Sequence, residues 1–427
     1  MRVKIKRCNF LFISILFMCL LAYGCDINRD NDNVTINVCN WGEYISNGTY
    51  GGVNVNSLFT KETGIKVNYT TFQSNEELFA KMSGNGAAYD VIIPSDYMIA
   101  RFIENNMLEK LEFKNIPNYH LIDDNFKNRS YDENNEFSVP YTWGLMGIFV
   151  NKNMVDEPVD EIDWNILWNE KYSNKILMFD NSRDAFGISL MRLGYSINTV
   201  NLSEWRKAAE ELKKQRPLIQ TYVMDQIYDK MGNGEAALAP YYSGDAGIMV
   251  KSNPNIKFVV PKSGTNMFID AMCIPKGSDH KKEAEEYINF MCRTDIALAN
   301  SLYTNYSTPH KGAYENLPED IRSNDVFYPG DDIIKNSEVF VNLPSEINQE
   351  INALWIQIKT GGENNPWILI AIIVSGMVLY ILVTLYKKNV NLWSKNMFWE
   401  VVKMASIKFK DGNVMEFTVG TTILTTI

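Results

Sequence analysis

Residues Trp367 to Tyr386 read WILIAIIVSGMVLYILVTLY, a run of about 20 residues without a charge and the length a helix needs to cross a bilayer. Lys387 and Lys388 follow it directly, so the excess of cations on cytoplasmic flanks places the tail inside the cell and everything before Asn365 outside. The N-terminus agrees. Met1, Arg2, Lys4, Lys6 and Arg7 precede an apolar run from Asn9 to Leu21 and a small-residue stretch ending at Cys25, the pattern of a secretory signal. Whatever folds between the two apolar segments is therefore expected to fold on the outer face of a membrane.

Two readings of Cys25 stand. Gly24 followed by Cys25 resembles a lipobox, in which the new N-terminal cysteine carries a diacylglyceryl group, while Ala22 and Gly24 are small enough for ordinary cleavage after Gly24. Of the six cysteines, Cys8 and Cys19 leave with the signal, and Cys39, Cys273 and Cys292 remain in apolar settings. They read as buried small hydrophobes rather than a disulfide framework. With three histidines in the chain, no zinc-ligand spacing occurs, and neither a metal nor a cofactor is expected.

The 427 residues are 46% hydrophobic and 22% charged, a globular balance with room for two domains. Acidic residues outnumber basic ones, 51 to 41. A net charge of -10 repels phosphate backbones and draws cations toward a cleft, which argues against a nucleic-acid partner.

After a polar tether, residues 25–33, the segment Val34 to Val38 alternates apolar and polar. A helical stretch with Leu58 and Phe59 and a second alternation from Ile65 to Phe72 complete a βαβ pattern. Ser74 and Glu77 form a capping box ahead of Leu78, Phe79 and Met82, and a strand follows from Tyr89 to Ile93. Strands alternating with helices predict a mostly parallel α/β sheet whose ligands bind beyond the strand C-termini, where Trp41 and Ser95 fall. From Ser138 to Lys152 the chain reads as extended, a crossing into a second lobe. A return crossing is expected between Pro261 and Asp270, with a helix from Lys281 to Cys292 after it. Beyond the apolar run, Asp411 and Gly412 suggest a hairpin turn.

Here a resemblance becomes specific. The segments CNWGEYIS (Cys39 to Ser46), FTKETGIKV, SNEELFAKM, YDVIIPSDY (Tyr89 to Tyr97), VPYTWG, ILMFDNSRDAFG, GEAALAPYYSGDA, FIDAMCIPK and NYSTPH follow one another in the order and spacing of the bacterial spermidine/putrescine-binding proteins, over roughly Val34 to Lys359. That resemblance implies a two-lobed periplasmic-binding-protein fold that closes on its ligand like a hinged trap. With the segments above, the expected layout is signal 1–24; tether 25–33; lobe 1 from 34–139 and 268–312; lobe 2 from 140–267 and 313–359; linker 360–366; transmembrane helix 367–386; cytoplasmic tail 387–427. It also implies delivery of a polyamine to an ABC permease of two membrane subunits driven by a cytoplasmic ATPase.

Carried over by motif, the first-lobe contacts would fall on Trp41, Glu43, Tyr44, Ser95 and Tyr97, with Asp270 after the return crossing and Tyr306. The second lobe would supply Asn181, Asp184 and Tyr242. Departures from the family pattern gather there. An acid is usual at Asn181 and a longer one at Asp184; larger rings are usual at Tyr242 and Phe268, and a glutamine at Phe340. Asp245, three residues after Tyr242, reads as restoring an anion. Asp184 and Asp270 are the expected ammonium anchors, since each charge-assisted hydrogen bond contributes about 1.5–3 kcal/mol and a desolvated cation over a ring about 0.5–2 kcal/mol.

Other readings compete. The two acids could serve a secreted hydrolase, but no GxSxG elbow, HExxH helix or phosphate loop accompanies them, and an enzyme is not expected. Another solute, such as iron, thiamine or an anion, could occupy the same fold; acids toward the cleft and the lack of a tyrosine pair with histidine argue against iron and anions. A membrane-anchored receptor of a small cationic solute remains, because lobes fused to a transmembrane helix could report closure to the cytoplasm. Truncation after Lys359 tests this: solute uptake is expected to survive the deletion, which would count against the receptor.

Overall fold

The computed structural model describes residues 34–84, 89–361, 407–408 and 414–415. The expected signal, tether, lipidated Cys25, transmembrane segment and most of the linker and tail lie outside those residues, Thr360 of the linker instead ending the helix Ser345–Thr360, and among the described ones no helix is long and apolar enough to cross a membrane. The chain divides into two units, 1–362 and 363–427. Within the second, Ile407–Lys408 pairs antiparallel with Val414–Met415; the turn read at Asp411 and Gly412 lies outside the described residues.

The first unit is built on β1 (Thr35–Trp41), β2 (Lys66–Phe72), β3 (Val91–Ile92), β4 (Ser138–Asn151), β5 (Ile176–Phe179), β6 (Ile219–Val223), β7 (Leu238–Tyr242), β8 (Ile256–Val259), β9 (Thr265–Cys273) and β10 (Ser337–Glu338). Their order is β2-β1-β3-β9-β4-β7-β5-β6, with β8 against β4 and β10 against β9. β1 is parallel to β2 and β3, and β5 is parallel to β6 and β7. These are the parallel sheets of two α/β lobes, with helices between strands as the sequence periodicity predicts.

Local signals explain the helices of the first lobe. Asn54 accepts from the Ser57 amide at 2.9 Å to open Val55–Thr63, and Gly64 closes it at φ 78°, a left-handed position open to glycine at little cost. Ser74 accepts from the Glu77 amide at 3.1 Å to open Asn75–Ser83. Only half of the expected capping box forms: the Glu77 carboxylate takes the Gln73 amide at 2.7 Å, one residue before the cap, rather than that of Ser74.

The lobes are joined by strands that belong to both. β4 pairs antiparallel with β9 from Ser138↔Cys273 to Leu145↔Met267. Beyond that point the same edge of β4 takes β8, from Ile148↔Val259, while its other edge takes β7 from Met146↔Tyr242. Every residue of β4 is buried, as expected of a strand with neighbours on both edges and side chains covering both faces. The crossings predicted near Ser138 and Pro261 are thus one antiparallel ribbon, β4 against β8 and β9.

Three apolar clusters flank this ribbon. One fills the second lobe around Phe149, Trp164, Phe179 and Trp205. The other two lie in the first lobe, around Ile36, Phe59 and Tyr287 and around Cys39, Phe102 and Ile269. Cys39, Cys273 and Cys292 are buried and unpaired. Trp164 begins a 3-10 turn, and its indole N–H donates to the Gly264 carbonyl at 2.9 Å, fixing the second-lobe core to the turn before β9.

The ribbon tolerates no added bulk at Gly147, where a Cβ would sit 2.4 Å from the Phe258 ring and 2.6 Å from the Val259 carbonyl oxygen. The ring could turn, but the carbonyl belongs to the β4–β8 ladder. Gly147→Ala is expected to lower stability by about 1–3 kcal/mol, read as a lower midpoint in urea denaturation; an unchanged midpoint would mean that β8 is not held against β4.

Candidate functional site

The C-terminal ends of the parallel strands of both lobes face one cavity of about 660 Å³, counting its open mouth. This is where an α/β sheet presents side chains and backbone amides without blocking them by the helices that cover its faces. From the first lobe β1 delivers Trp41 and Tyr44, β2 ends at Phe72, and the turn after β3 delivers Ser95, Asp96 and Tyr97. The second lobe delivers Asn181 and Asp184 at the start of the helix Ser182–Arg192, Asp225 after β6, and Tyr242 and Asp245 after β7. β9 brings Phe268 and Asp270 along its middle, and Tyr306 and Phe340 complete the lining.

All the expected contact residues except Glu43 therefore meet here. Glu43 lies in the turn after β1 at φ 49°, which throws its side chain outward while Trp41 and Tyr44 face in; its carboxylate accepts from the Tyr303 hydroxyl at 3.3 Å. The structure sets it apart from the cavity. Its neighbours in the CNWGEYIS motif gave no sign of that, because the left-handed turn is a property of one residue.

Aromatic rings wall the cavity at the edge-to-face spacings that ring quadrupoles favour. Tyr44 meets Tyr306 at 4.6 Å, Tyr242 meets Phe268 at 5.2 Å and Tyr97 meets Phe340 at 5.7 Å. Trp41 stacks obliquely on Phe72 at 4.4 Å. Gly144, beneath the Phe268 ring at 2.8 Å from a notional Cβ, leaves the space that ring occupies.

Carboxylates carry the charge. Asp270 Oδ2 accepts from the Tyr44 hydroxyl at 2.5 Å, and that hydroxyl also lies 2.6 Å from Thr142 Oγ1. Asp270 Oδ1 is buried and makes no hydrogen bond of acceptable geometry; the Ser95 hydroxyl is near enough to ease its charge without satisfying the atom. Asp184 Oδ2 accepts from the Tyr242 hydroxyl at 2.7 Å. Asp245 is different. Its two oxygens accept from the hydroxyls of Tyr228 and Tyr306, the latter at 2.6 Å, so this acid ties Tyr306 to the second lobe instead of standing open to a ligand. Asn181 likewise spends its Oδ1 on the Arg183 amide at 3.0 Å, capping the helix that carries Asp184.

Two further acids escaped the sequence reading. Asp96, fully buried, accepts from the amides of Tyr97 at 2.7 Å and Ile269 at 3.1 Å and so pins β9, with Asp270 on it, to the start of the helix Asp96–Glu104. An acid at the strand end in PSDY was the available signal. Asp225 lies half-buried at the mouth, where it accepts from the Gln73 amide at 3.3 Å and abuts Gly42, whose notional Cβ would lie 2.5 Å from it. In VMDQIYDK it reads as a solvated acid among others.

Burial pushes all four enclosed carboxyls up: Asp270 to about 6, Asp184 and Asp245 to about 7, and Asp96 to about 8. Phenol donors offset part of this for Asp184 and Asp245, as backbone amides do for Asp96. Among the described residues no lysine, arginine or histidine lines the cavity. Arg183, next to Asp184 in the chain, is buried behind Phe340 at 4.3 Å from the ring centre, its guanidinium spent on the carbonyls of Ile197 and Val341 and on Asn198. Among the described residues no cluster of acids, histidines or cysteines is arranged to hold a metal ion. The cavity is an anionic, ring-walled slot without a counter-charge, shaped for an organic cation.

Comparison with known proteins agrees with this fold. The profile of the bacterial extracellular solute-binding proteins matches residues 87–336. The spermidine/putrescine-binding periplasmic protein of Escherichia coli K12 is 34% identical over 319 residues, 74% of this chain and 90% of that protein. Among solved structures, the spermidine/putrescine ABC transporter substrate-binding protein of Streptococcus pneumoniae superposes with a TM-score of 0.65 at 35% identity, covering 77% of this chain and 100% of that one. A solved protein of Listeria monocytogenes reaches a TM-score of 0.72 at 37% identity over 76% of this chain and 98% of its own.

The raised carboxyls make a stability prediction. Asp184 binds its proton more tightly folded, at about 7, than unfolded, near 3.9, so its contribution is fully present below about pH 4 and is lost as pH rises through 7. Asp184→Asn keeps an acceptor for Tyr242 and removes that loss. In denaturant titrations without ligand, the variant should gain on wild type between pH 4 and 7, levelling at about 1–4 kcal/mol; equal stability at pH 8 would show that Asp184 is not held in a low-dielectric site.

Proposed function

The chain belongs to the family of bacterial extracellular solute-binding proteins, and on that premise we propose that its cleft captures a polyamine such as putrescine or spermidine outside the cytoplasm and hands it to an ABC transporter. The observation that carries the reading is the buried Asp270 Oδ1 without a partner, in a slot walled by rings and, among the described residues, free of cationic side chains. A polyamine is an aliphatic chain with ammonium groups. Its methylenes suit the faces of Trp41, Tyr242, Phe268 and Tyr306, and its nitrogens suit Asp270 and Asp184. Burying an ammonium there without those carboxylates would cost several kcal/mol.

Capture needs no bond chemistry. Contacts from both lobes exist together only when the lobes are closed, so the ligand favours that population by the difference in its affinity for the two states. The solute leaves unchanged, as befits a transport component rather than an enzyme. The secretory signal, Cys25 and the apolar run Trp367 to Tyr386 support attachment to the outer face of the membrane, where a permease and its ATPase can be met.

Titration calorimetry of the full-length chain with putrescine, cadaverine, spermidine and spermine tests the reading. Micromolar or tighter binding of at least one amine is expected, weakened about 100-fold or more by Asp270→Ala, which removes a charge-assisted hydrogen bond and the charge with it. Repulsion along one chain lowers the amines below a lysine's value, yet they stay protonated across neutral pH, whereas Asp270 and Asp184 must ionise from about 6 and about 7. Affinity should therefore be greatest near pH 8 and fall as pH drops through 7 and 6, by up to about tenfold per unit for each acid. Binding that ignores pH, or no binding of any amine, would overturn the proposal.

A further inference from the structure

Five acids line the cleft, yet their oxygens are not equally free. Asp245 has both oxygens on phenols, and Asp96 has both on backbone amides. Asp225 sits half-exposed at the mouth, holding the Gln73 amide, where water competes for any cation it meets. Asp270 keeps Oδ1 bare, and Asp184 spends Oδ2 on the Tyr242 hydroxyl, with no hydrogen bond to its Oδ1 among the described residues. Both residues are nine-tenths or more buried. The enclosed part of the cleft thus offers open anions at two places.

Around Asp184 the described lining offers no third buried acid: Glu76 is half-buried, has one oxygen on the Tyr97 hydroxyl at 3.0 Å and stands outside the residues that line the cavity. Asn181, at the cap of the same helix, has its oxygen on the Arg183 amide, which leaves its NH₂, a donor, as the free end. Phe340 presents a ring backed by the Arg183 guanidinium at 4.3 Å, a fixed positive charge behind an apolar face. Asn266 Oδ1 is bare and buried, but it is neutral; it can complete an ammonium's hydrogen bonds without balancing its charge. We infer that the cleft selects a diamine, a ligand with two ammonium groups, over a triamine or tetraamine, because Asp184 and Asp270 are, among the described residues, the only lining acids that combine burial with an open oxygen.

The inference rests on the reading of the cleft as an ammonium site and deepens it. A third ammonium carried inside would lose water without gaining an anion, while one left outside would hold the mouth open at Asp225 and Gln73. The missing partner is worth a charge-assisted hydrogen bond, so a diamine should bind at least about tenfold more tightly than spermidine. One substitution supplies the absent anion. Asp caps a helix as well as Asn, so Asn181→Asp keeps the cap on one oxygen and turns the other toward the cavity in place of the NH₂.

Calorimetry of the full-length wild-type and Asn181→Asp chains with putrescine, cadaverine, spermidine and spermine decides it. Expected are a diamine preference of at least about tenfold in wild type, and in Asn181→Asp a shift of the spermidine-to-diamine affinity ratio toward spermidine by about tenfold or more, with an unchanged thermal midpoint showing an intact cap. Spermidine bound as tightly as any diamine by wild type would overturn the inference and leave polyamine capture standing. An unshifted ratio in a folded Asn181→Asp would overturn it too. No binding of any amine would remove polyamine capture and this inference together.

Discussion

The carboxylate of Asp270 is a charge placed in the strand that joins the lobes, and much of the site is arranged around the cost of putting it there. Thr142 stands opposite it on β4, at the point where the register shifts after Pro140, and the Tyr44 hydroxyl reaches both. Asp96 anchors the neighbouring Ile269 amide. These contacts settle one oxygen of Asp270 and fix the aim of the other. A carboxylate held this way is poorly solvated and incompletely paired, which makes it a strong acceptor for a cation that replaces the lost water.

The approach of the lobes depends on a second carboxylate used in another way. Asp245 gathers the Tyr228 and Tyr306 hydroxyls, and Tyr306 in turn packs against Tyr44 beside Asp270. That packing needs backbone without side chain. A Cβ on Gly244 would lie 2.2 Å from the Tyr306 ring, and one on Gly247 2.5 Å from Asn305. Two acids of the same type on opposite sides of one slot therefore do unlike work: Asp245 is consumed in holding protein to protein, and Asp270 is held open.

Function and stability pull against each other at this site. Buried acids that titrate upward favour the protonated fold, so near neutral pH the ligand-free protein carries carboxyls that would be more at ease in water. Under the proposed function, a bound organic cation would reverse that balance, lowering those pKa values and stabilising the folded state by an amount that grows with its concentration. The large apolar clusters of each lobe make such a cost tolerable, because the net stability of a domain is a small difference between large terms.

Much of the frame was legible in the sequence. Apolar alternation marked β1 and β2, capping residues marked Val55–Thr63 and Asn75–Ser83, and strand ends pointed to Trp41 and Ser95, because these signals are local and have fixed periods. The motifs named Asp184, Asp270 and the surrounding rings. What they could not say is how each polar atom is spent, since Tyr44 and Asp270 are 226 residues apart and Tyr242 and Asp184 are 58 apart. Glu43 turns away through one left-handed residue, Asp245 is saturated by two distant tyrosines, and Asp96 and Asp225 enter the cleft from segments that read as ordinary helix starts. By itself the sequence determined the alternation of strands and helices, the acidic balance and the family of the cleft, for all of these follow from residue order and composition. Only the tertiary structure decided which carboxylates remain open to a ligand, because an oxygen is free or taken according to groups that meet it across the fold.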